Sequence, residues 1–392
     1  MTGRAALVVV LSEAHNDPRV RRQIDWLHGA GWVVDTIGLG PHPAPEVRHH
    51  FELIPQAPWV RSRLGSALIY AIFPRRYMFR RLALDRIPKP ALQALRAGDY
   101  ELIVFDDIDL APLVKDPRAR PEPGRPRPRV HLDLHEYRGT VRSRTAWKRL
   151  TSRYRRWLRE LIGDPVFDTR STVASRIADM YASEFGFEPP VLVRNAPPFH
   201  DQRPSPVEPG RVRLIFHGLA SWARGFEQIL DAMRELDERF VMTFMLTGNP
   251  GNIARLRSAS SDLGDRVRVV PPVPMTELSA TVNHYDLEVM FYPPVEPNVE
   301  FALPNKFFEA VQGRLGVVVG ESPMMAELVR HFEIGPVVAG WTGADLARTL
   351  SALTTADIER FKLNSEAAAR ELNAEAEGRV FMSVVDTSKD SA

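Results

Sequence analysis

Between positions 197 and 210 the chain carries five prolines (Pro197, Pro198, Pro204, Pro206 and Pro209), and the same grammar of short apolar runs and longer helical stretches is spelled out on either side. A proline-dense segment neither continues a helix nor sits inside a sheet, so it separates what flanks it. Upstream, residues 7–11, 33–37, 102–105, 130–134, 165–168 and 191–193 read as buried strands. Asp17-Pro18 opens a helix that Gly29 and Gly31 close, and residues 171–185 read as another. Downstream, residues 213–217, 241–246, 267–270, 287–292, 316–319 and 335–338 repeat the pattern, with helical stretches between most of them. Strand and helix alternating at this spacing predict a parallel sheet with helices on both faces, formed twice. A length of 392 residues suits two such domains. The expected division is 1–200, then 201–370, then a tail, 371–392, forming a helix that packs back on the first domain.

Composition excludes several classes. A hydrophobic content of 44% with 26% charged residues describes a folded globular chain. The absence of cysteine rules out disulfides, thiolate nucleophiles and Cys-ligated metal, and fits a reducing compartment. No signal peptide is visible, since the apolar run 5–11 is strand-sized and leads into charged residues. The longest apolar run of the basic region, 65–73, is about half the roughly 20 residues of a bilayer span. The expectation is a cytoplasmic chain without a transmembrane helix.

The net charge of +2 conceals an asymmetry. Nine basic residues (Arg61, Arg63, Arg75, Arg76, Arg80, Arg81, Arg86, Lys89, Arg96) stand between Trp59 and Ala97 against one acid, Asp85. Nine more, and no acid, lie between Arg138 and Arg159. Aromatics interleave with them: Trp59, Tyr70, Phe73, Tyr77 and Phe79, then Trp147, Tyr154 and Trp157. The preference for arginine over lysine fits the usage of a GC-rich bacterial genome and carries no mechanism.

The most chemically informative run is Ala302-Leu303-Pro304-Asn305-Lys306-Phe307-Phe308-Glu309. It follows an apolar strand and opens a helix, with Pro304 in the first turn and Asn305 and Lys306 beside it. Free amides, a positive dipole end and a lysine make an anion site. Glu309, one turn in, is placed to accept from a pair of sugar hydroxyls. The plainer reading is a core helix started by proline, with Glu309 on its wet face. The run resembles the nucleotide-sugar site in the C-terminal domain of GT-B glycosyltransferases, the retaining family 4 in particular.

Three further segments fall where that resemblance would put them, and it is dense over residues 213–338. His217-Gly218 ends a strand and Arg224-Gly225 opens the next helix, where the family often reads Gly and then Lys/Arg-Gly. Thr247-Gly248-Asn249-Pro250 has the form of the family's glycine turn. Pro271-Pro272-Val273-Pro274 resembles the loop whose backbone reads the nucleotide base. The resemblance implies that Gly218, Gly248, Val273, Pro304, Asn305 and Glu309 bind the donor, Glu309 through its ribose. It implies that Arg224 and Lys306 stabilise the leaving diphosphate. There are departures. The commoner motif has two glutamates flanking seven residues; the first would fall at Phe301, and Glu300 is one position off, so its role is open. The family's frequent arginine after Gly218 is replaced by Leu219.

The resemblance is patchier over residues 5–200. Asn16-Asp17-Pro18-Arg19-Val20-Arg21-Arg22 is explained by capping alone, with Asp17 as N-cap and arginines on the wet face. Its likeness to a family helix opening adds Asn16 and Arg19 as acceptor-side candidates. Asp133-Leu134-His135-Glu136 ends a strand; a lone histidine there is often structural, but the likeness implies a cleft histidine, making His135 a catalytic candidate. Arg194-Asn195-Ala196-Pro197 reads as a hinge. No His/Asp/Glu cluster shows metal-ligand spacing and no nucleophile elbow occurs. Ser12-Glu13-Ala14-His15 stands where a nicotinamide enzyme would carry Gly-x-Gly-x-x-Gly.

The expectation is therefore an α/β chain of GT-B fold, two Rossmann-like parallel-sheet domains facing across a cleft. Its expected reaction is sugar transfer from a nucleotide diphosphate sugar, with retention, needing no metal and no tightly bound cofactor. The basic, aromatic first half suggests a glycan or lipid-linked acceptor in bacterial polysaccharide biosynthesis. It also suggests peripheral attachment to the inner, anionic membrane face, with Trp59, Phe73 and Phe79 seated in the interface. Two rivals remain: a nucleotide-sugar 2-epimerase on the same fold, and a nucleic-acid-binding protein. Against the second, no helix-turn-helix or single-strand module is recognisable and the overall charge is nearly balanced.

Overall fold

The computed structural model describes residues 4–106, 108–138, 146–294 and 297–386. The chain divides into two compact units, Met1–Val193 with Gly378–Ala392, and Arg194–Glu377. Of the second basic segment, residues 139–145 and the Trp147 side chain lie outside the described residues, as does the Arg63 side chain.

The first unit is built on β1 (Ala5–Glu13), β2 (Val33–Leu39), β3 (Val47–Glu52), β4 (Leu102–Phe105), β5 (Arg129–Leu134), β6 (Thr169–Thr172) and β7 (Val191–Leu192). All pair in parallel, in the order β3-β2-β1-β4-β5-β6-β7. Ala5 to Val10 of β1 are all buried, the signature of a strand covered on both faces. Val8 and Val10 share a core with Ile24 and Leu27 of the helix Pro18–Gly29 and with Phe381 of the last helix, Ala374–Val385. Asp17 caps the first of these helices, accepting from the amides of Arg19 and Val20, and Pro18 opens it.

Two strands differ from expectation, for one reason. β3 (Val47–Glu52) was not expected, because its run of Arg48, His49 and His50 is polar. It is held by buried Asp35, which accepts from Arg48 at 2.6 Å, and by a Thr36 Oγ1–His50 Nδ1 hydrogen bond of 2.7 Å. Residues 165–168 are a turn and not a strand. Asp164 takes the amide of Val166, and the Asp168 carboxylate takes that of Val130, so pairing with β5 begins at Thr169. The next helix accordingly starts at Ser175 and not at 171. Polar strands satisfied by side-chain partners are invisible to a reading of apolar runs.

The second unit carries β8 (Val212–Leu219), β9 (Phe240–Thr247), β10 (Val267–Val270), β11 (Leu287–Met290), β12 (Gly316–Gly320) and β13 (Val337–Val338). The sheet is again parallel, in the order β10-β9-β8-β11-β12-β13. Strand order therefore reverses between β8 and β11. In open α/β sheets the crevice beyond the carboxyl ends at such a reversal is where ligands bind. The proline-rich stretch is fastened to this unit. The Arg314 guanidinium donates to the carbonyls of His200 and Gln202, the Gln202 amide to Ser279 and Gln312, and Asn283 to the carbonyl of Arg203. Among the described residues no helix is long and apolar enough to cross a membrane.

Candidate active site

At the carboxyl end of β8, His217 lies buried between two carboxylates. Its backbone amide and ring Nδ1 donate to Glu288 of β11, at 3.2 and 2.9 Å, and its Nε2 donates to Glu309 at 2.9 Å. Burial opposes a charge on the imidazole, but the two carboxylates outweigh it and hold the pKa up, at about 9. His217 is thus an imidazolium at neutral pH. Glu288 is fully buried, whereas Glu309 keeps 12% of its side chain exposed.

Glu309 belongs to the helix Asn305–Gln312, with Pro304 at its N-cap. Phe307, Phe308 and Val311 anchor that helix in the core, which fixes the direction of its first turn. Lys306 in that turn is also buried, and among the described residues its Nζ has no hydrogen-bond partner. The ammonium instead lies 3.6 Å from the centre of the Phe216 ring and 5.8 Å from that of Tyr292. Burial, and then the charge of Arg224, push its pKa down to about 7. Glu288 and Glu309 oppose that shift through space, but neither hydrogen-bonds the amine, and burying such a group without a hydrogen bond is costly.

Gly218 packs beside it. Its φ is +108°, a conformation that favours glycine, and a Cβ there would stand 3.2 Å from Lys306 Nζ. Gly225 serves packing: a Cβ would lie 1.9 Å from the Phe291 carbonyl oxygen. The Arg224 guanidinium stands 5.9 Å from the Tyr292 ring and, among the described residues, has no carboxylate within ion-pair distance. The Tyr292 hydroxyl is buried and likewise unpartnered among those residues. Two cations, a helix N-terminus and an uncapped hydroxyl thus converge where strand order reverses. That is the donor set of an anion site.

Gly248 and Val273 sit at the corresponding ends of the neighbouring strands. Gly248 turns the chain after β9 with φ +100°, beside the side chain of Leu219. Val273 is half-buried in the loop between β10 and the helix Met275–Val282. Asn305 is half-buried at the head of the Lys306 helix.

In the first unit, the equivalent reversal lies between β1 and β4. Here Arg19 is not the open acceptor contact expected from its place in a helix opening. It is 7% exposed, its guanidinium pairs bidentately with Asp133, and it donates to the Val193 carbonyl at 3.0 Å. Asn16 is solvent-facing and donates to Glu13. Asp133 also accepts from Gln23 and Ser171, each at 2.8 Å. Burial alone would raise its pKa, but Arg19 overrides this and holds it low; burial and the charge of Asp133 push neighbouring Asp106 well up. His135, half-buried just past β5, has an Nδ1 without a partner among the described residues.

The fold brings Asp106, Asp133 and His135 together, with one ligating atom from each within 4.8 Å of the others, which sequence spacing did not reveal. The Asp133 oxygens accept from Arg19, Gln23 and Ser171, whereas Asp106 Oδ2 and His135 Nδ1 have no hydrogen-bond partner among the described residues.

No family model matches the chain, and no curated protein does. Solved structures do. Sucrose-phosphate synthase from Thermosynechococcus elongatus superposes with a TM-score of 0.71 at 17% identity, over 99% of this chain and 100% of that one. Anabaena HepE, solved in complex with UDP, gives 0.66 at 12% identity, over 98% and 100%. WaaG, a glycosyltransferase involved in lipopolysaccharide biosynthesis, gives 0.64 at 12%, again over 98% and 100%. The fold is that of the GT-B glycosyltransferases. At these identities the likeness is one of fold, so activity has to be argued from the site.

Proposed function

We propose that the chain is a glycosyltransferase that takes a sugar from a nucleotide diphosphate sugar, with retention, in the manner of family 4 enzymes carrying the Leu-Pro-Asn-Lys form of the glutamate motif. The observation that carries this is Lys306: a buried amine without a hydrogen-bond partner among the described residues, beside Arg224, a helix N-terminus and the glycine turn at Gly218. As the bond from the anomeric carbon to the diphosphate oxygen breaks and the acceptor oxygen bonds to that carbon, charge collects on the leaving phosphate. Fixed cations already aimed there stabilise that charge without rearrangement. The acceptor proton ends on the departing diphosphate. In this reading Glu309 binds the ribose, Gly248, Val273, Pro304 and Asn305 border the nucleotide, and no metal or tightly bound cofactor is needed. His135 and Asn16 serve the sugar and acceptor from the first unit, and Arg19 acts by holding Asp133.

The acceptor is proposed to be a lipid-linked glycan of a polysaccharide pathway, met at the inner membrane face. What supports this is an exposed apolar row on the helix Arg63–Ile72: Leu64 is 84% exposed, Leu68 48% and Ile72 64%. Trp59, 47% exposed, and the exposed Arg61, Arg76 and Arg80 lie nearby in the chain. Phe79 does not belong to this surface; it is 4% exposed and packs on Trp157.

Titration calorimetry with uridine, guanosine, thymidine and adenosine diphosphates tests the donor site. One should bind, and Lys306→Met should weaken it at least tenfold. If none binds the intact protein, the reading fails. Incubation with donor alone separates transfer from the epimerase reading, which requires epimerised sugar to accumulate.

A further inference from the structure

We propose that the first unit holds a second ligand site, independent of the donor site, for an anionic amphiphile: a short alkyl chain ending in a phosphate or carboxylate. A cavity of about 280 Å³ lies between the β4–β5 face and the segment 111–128. Leu95, Ile103, Phe105, Leu113 and Val130 make its apolar walls. Tyr100 also borders it, with its hydroxyl turned to Asp35 at 2.8 Å. At roughly 30 Å³ per water-sized group, the space holds about nine such groups, at the small end of ligand sites.

The mouth is cationic. Arg120, Arg125 and Arg127 border the cavity, and no acidic residue does. Arg127 is committed to Asp168, at 2.9 Å, and to the Val166 carbonyl. Arg120 and Arg125 are exposed, and among the described residues neither has a carboxylate within ion-pair distance. Two planar guanidiniums at the rim of an apolar space match a phosphate or carboxylate head on an alkyl tail.

The space is also built to stay open. Pro121, Pro123, Pro126 and Pro128 stiffen the covering loop. The amide of Glu122 ties it to the Arg96 carbonyl at 2.9 Å. Gly98, with φ +69°, lets the Arg125 stem come down close: a Cβ there would lie 2.9 Å from that of Arg125. A preformed cavity avoids the ordering cost that an induced one would carry.

Calorimetry with hexyl phosphate, octyl phosphate, octanoate and 1-octanol tests the proposal on the intact protein. Octyl phosphate should bind saturably, hexyl phosphate more weakly by roughly fourfold per methylene lost, and 1-octanol at least tenfold more weakly. Comparison of octanoate with octyl phosphate identifies the preferred head. The Arg120→Ala, Arg125→Ala double variant, altered only at exposed positions, should lose at least tenfold for octyl phosphate and little for 1-octanol. Lys306→Met should leave octyl phosphate binding unchanged. Absence of saturable binding, equal binding of 1-octanol, insensitivity to the arginine variant, or loss of binding in Lys306→Met would each overturn the proposal.

Discussion

His217 Nε2 lies 2.9 Å from the Glu309 carboxylate, and its Nδ1 is pinned by Glu288, so a residue fixed in the sheet sets the aim of a residue on the Lys306 helix. Among the described residues the histidine supplies the side-chain hydrogen bond that holds the Glu309 carboxylate. Glu309 keeps a partly exposed side chain while one of its oxygens is held.

The first prediction concerns that carboxylate. Glu309→Ala should weaken nucleotide diphosphate binding by about 1.5–3 kcal/mol, the worth of hydrogen bonds to a charged group. His217→Gln should weaken it less, because Glu309 remains but is less well aimed. Calorimetry on both variants gives the answer; a folded Glu309→Ala protein with native affinity removes Glu309 from the donor site.

Proton linkage tests Lys306. Its pKa in the empty site is held down to about 7, whereas a bound diphosphate places negative charge against it and restores the proton. Binding at pH 8 should take up close to one proton, read as the dependence of calorimetric heat on buffer ionisation enthalpy. Lys306→Met should abolish most of that uptake. No uptake in the native protein would mean that phosphate does not approach Lys306.

Stability against pH follows from the same two groups, with opposite signs. His217 is raised from 6.5 to about 9 in the folded state, so its contribution is complete below pH 6.5 and is lost as pH rises through 9. Lys306 is lowered from 10.5 to about 7, so the unfolded chain binds more protons between those values and stability rises with pH there. Between pH 7 and 9 the two slopes oppose each other, each effect being on the order of 3–5 kcal/mol over its full range. Lys306→Met should therefore uncover a fall in the urea midpoint from pH 7 to 9 that the native protein largely hides. An unchanged profile in that variant counts against both assignments.

The grouping of Lys306, Glu309, Gly218 and Arg224 was legible because its signals are local. Pro304, Lys306 and Glu309 share one short segment, and Gly218 and Arg224 punctuate one strand-to-helix turn. The His217–Glu288 pair went unread although it had a signal: a histidine and a glutamate inside two apolar runs, 71 residues apart. A charge inside a buried strand needs a partner, and two such charges on neighbouring strands point to each other. Arg19 was misread for the converse reason. Capping by Asp17 explains the helix start, but only the sheet order reveals that the arginine reaches Asp133 on β5. Expected strand 165–168 and unexpected β3 failed alike, where side-chain hydrogen bonds replace apolar alternation.

Arg19 and His135 should behave differently on substitution. Arg19→Met leaves Asp133 buried and unpaired, which should cost about 3–5 kcal/mol in unfolding free energy. His135→Ala should lower transfer by tenfold or more with the melting temperature and nucleotide affinity nearly unchanged, since its Nδ1 has no hydrogen-bond partner among the described residues. Thermal melts alongside turnover separate these outcomes. If His135→Ala destabilises the chain as strongly as Arg19→Met, the histidine is structural.

The proposed membrane attachment rests on a row of side chains that water should not favour. Leu64, Leu68 and Ile72 repeat every four residues along one helical row, all exposed, on a helix that begins two residues after Arg61. Burying such a side chain in lipid is worth about 1.5–3 kcal/mol, and each basic residue near an anionic surface adds on the order of 1 kcal/mol. Either contribution alone gives weak binding; together they give reversible attachment that responds to both chain chemistry and salt. The intact protein should co-sediment with vesicles containing anionic lipid, less so as salt rises, and not with neutral vesicles. Leu64→Gln with Leu68→Gln should reduce binding at every salt concentration, whereas Arg61→Gln with Arg76→Gln should flatten the salt dependence. Sedimentation indifferent to the leucine pair would assign the effect to charge alone, and no sedimentation with anionic vesicles at low salt would leave a water-soluble acceptor as the better account.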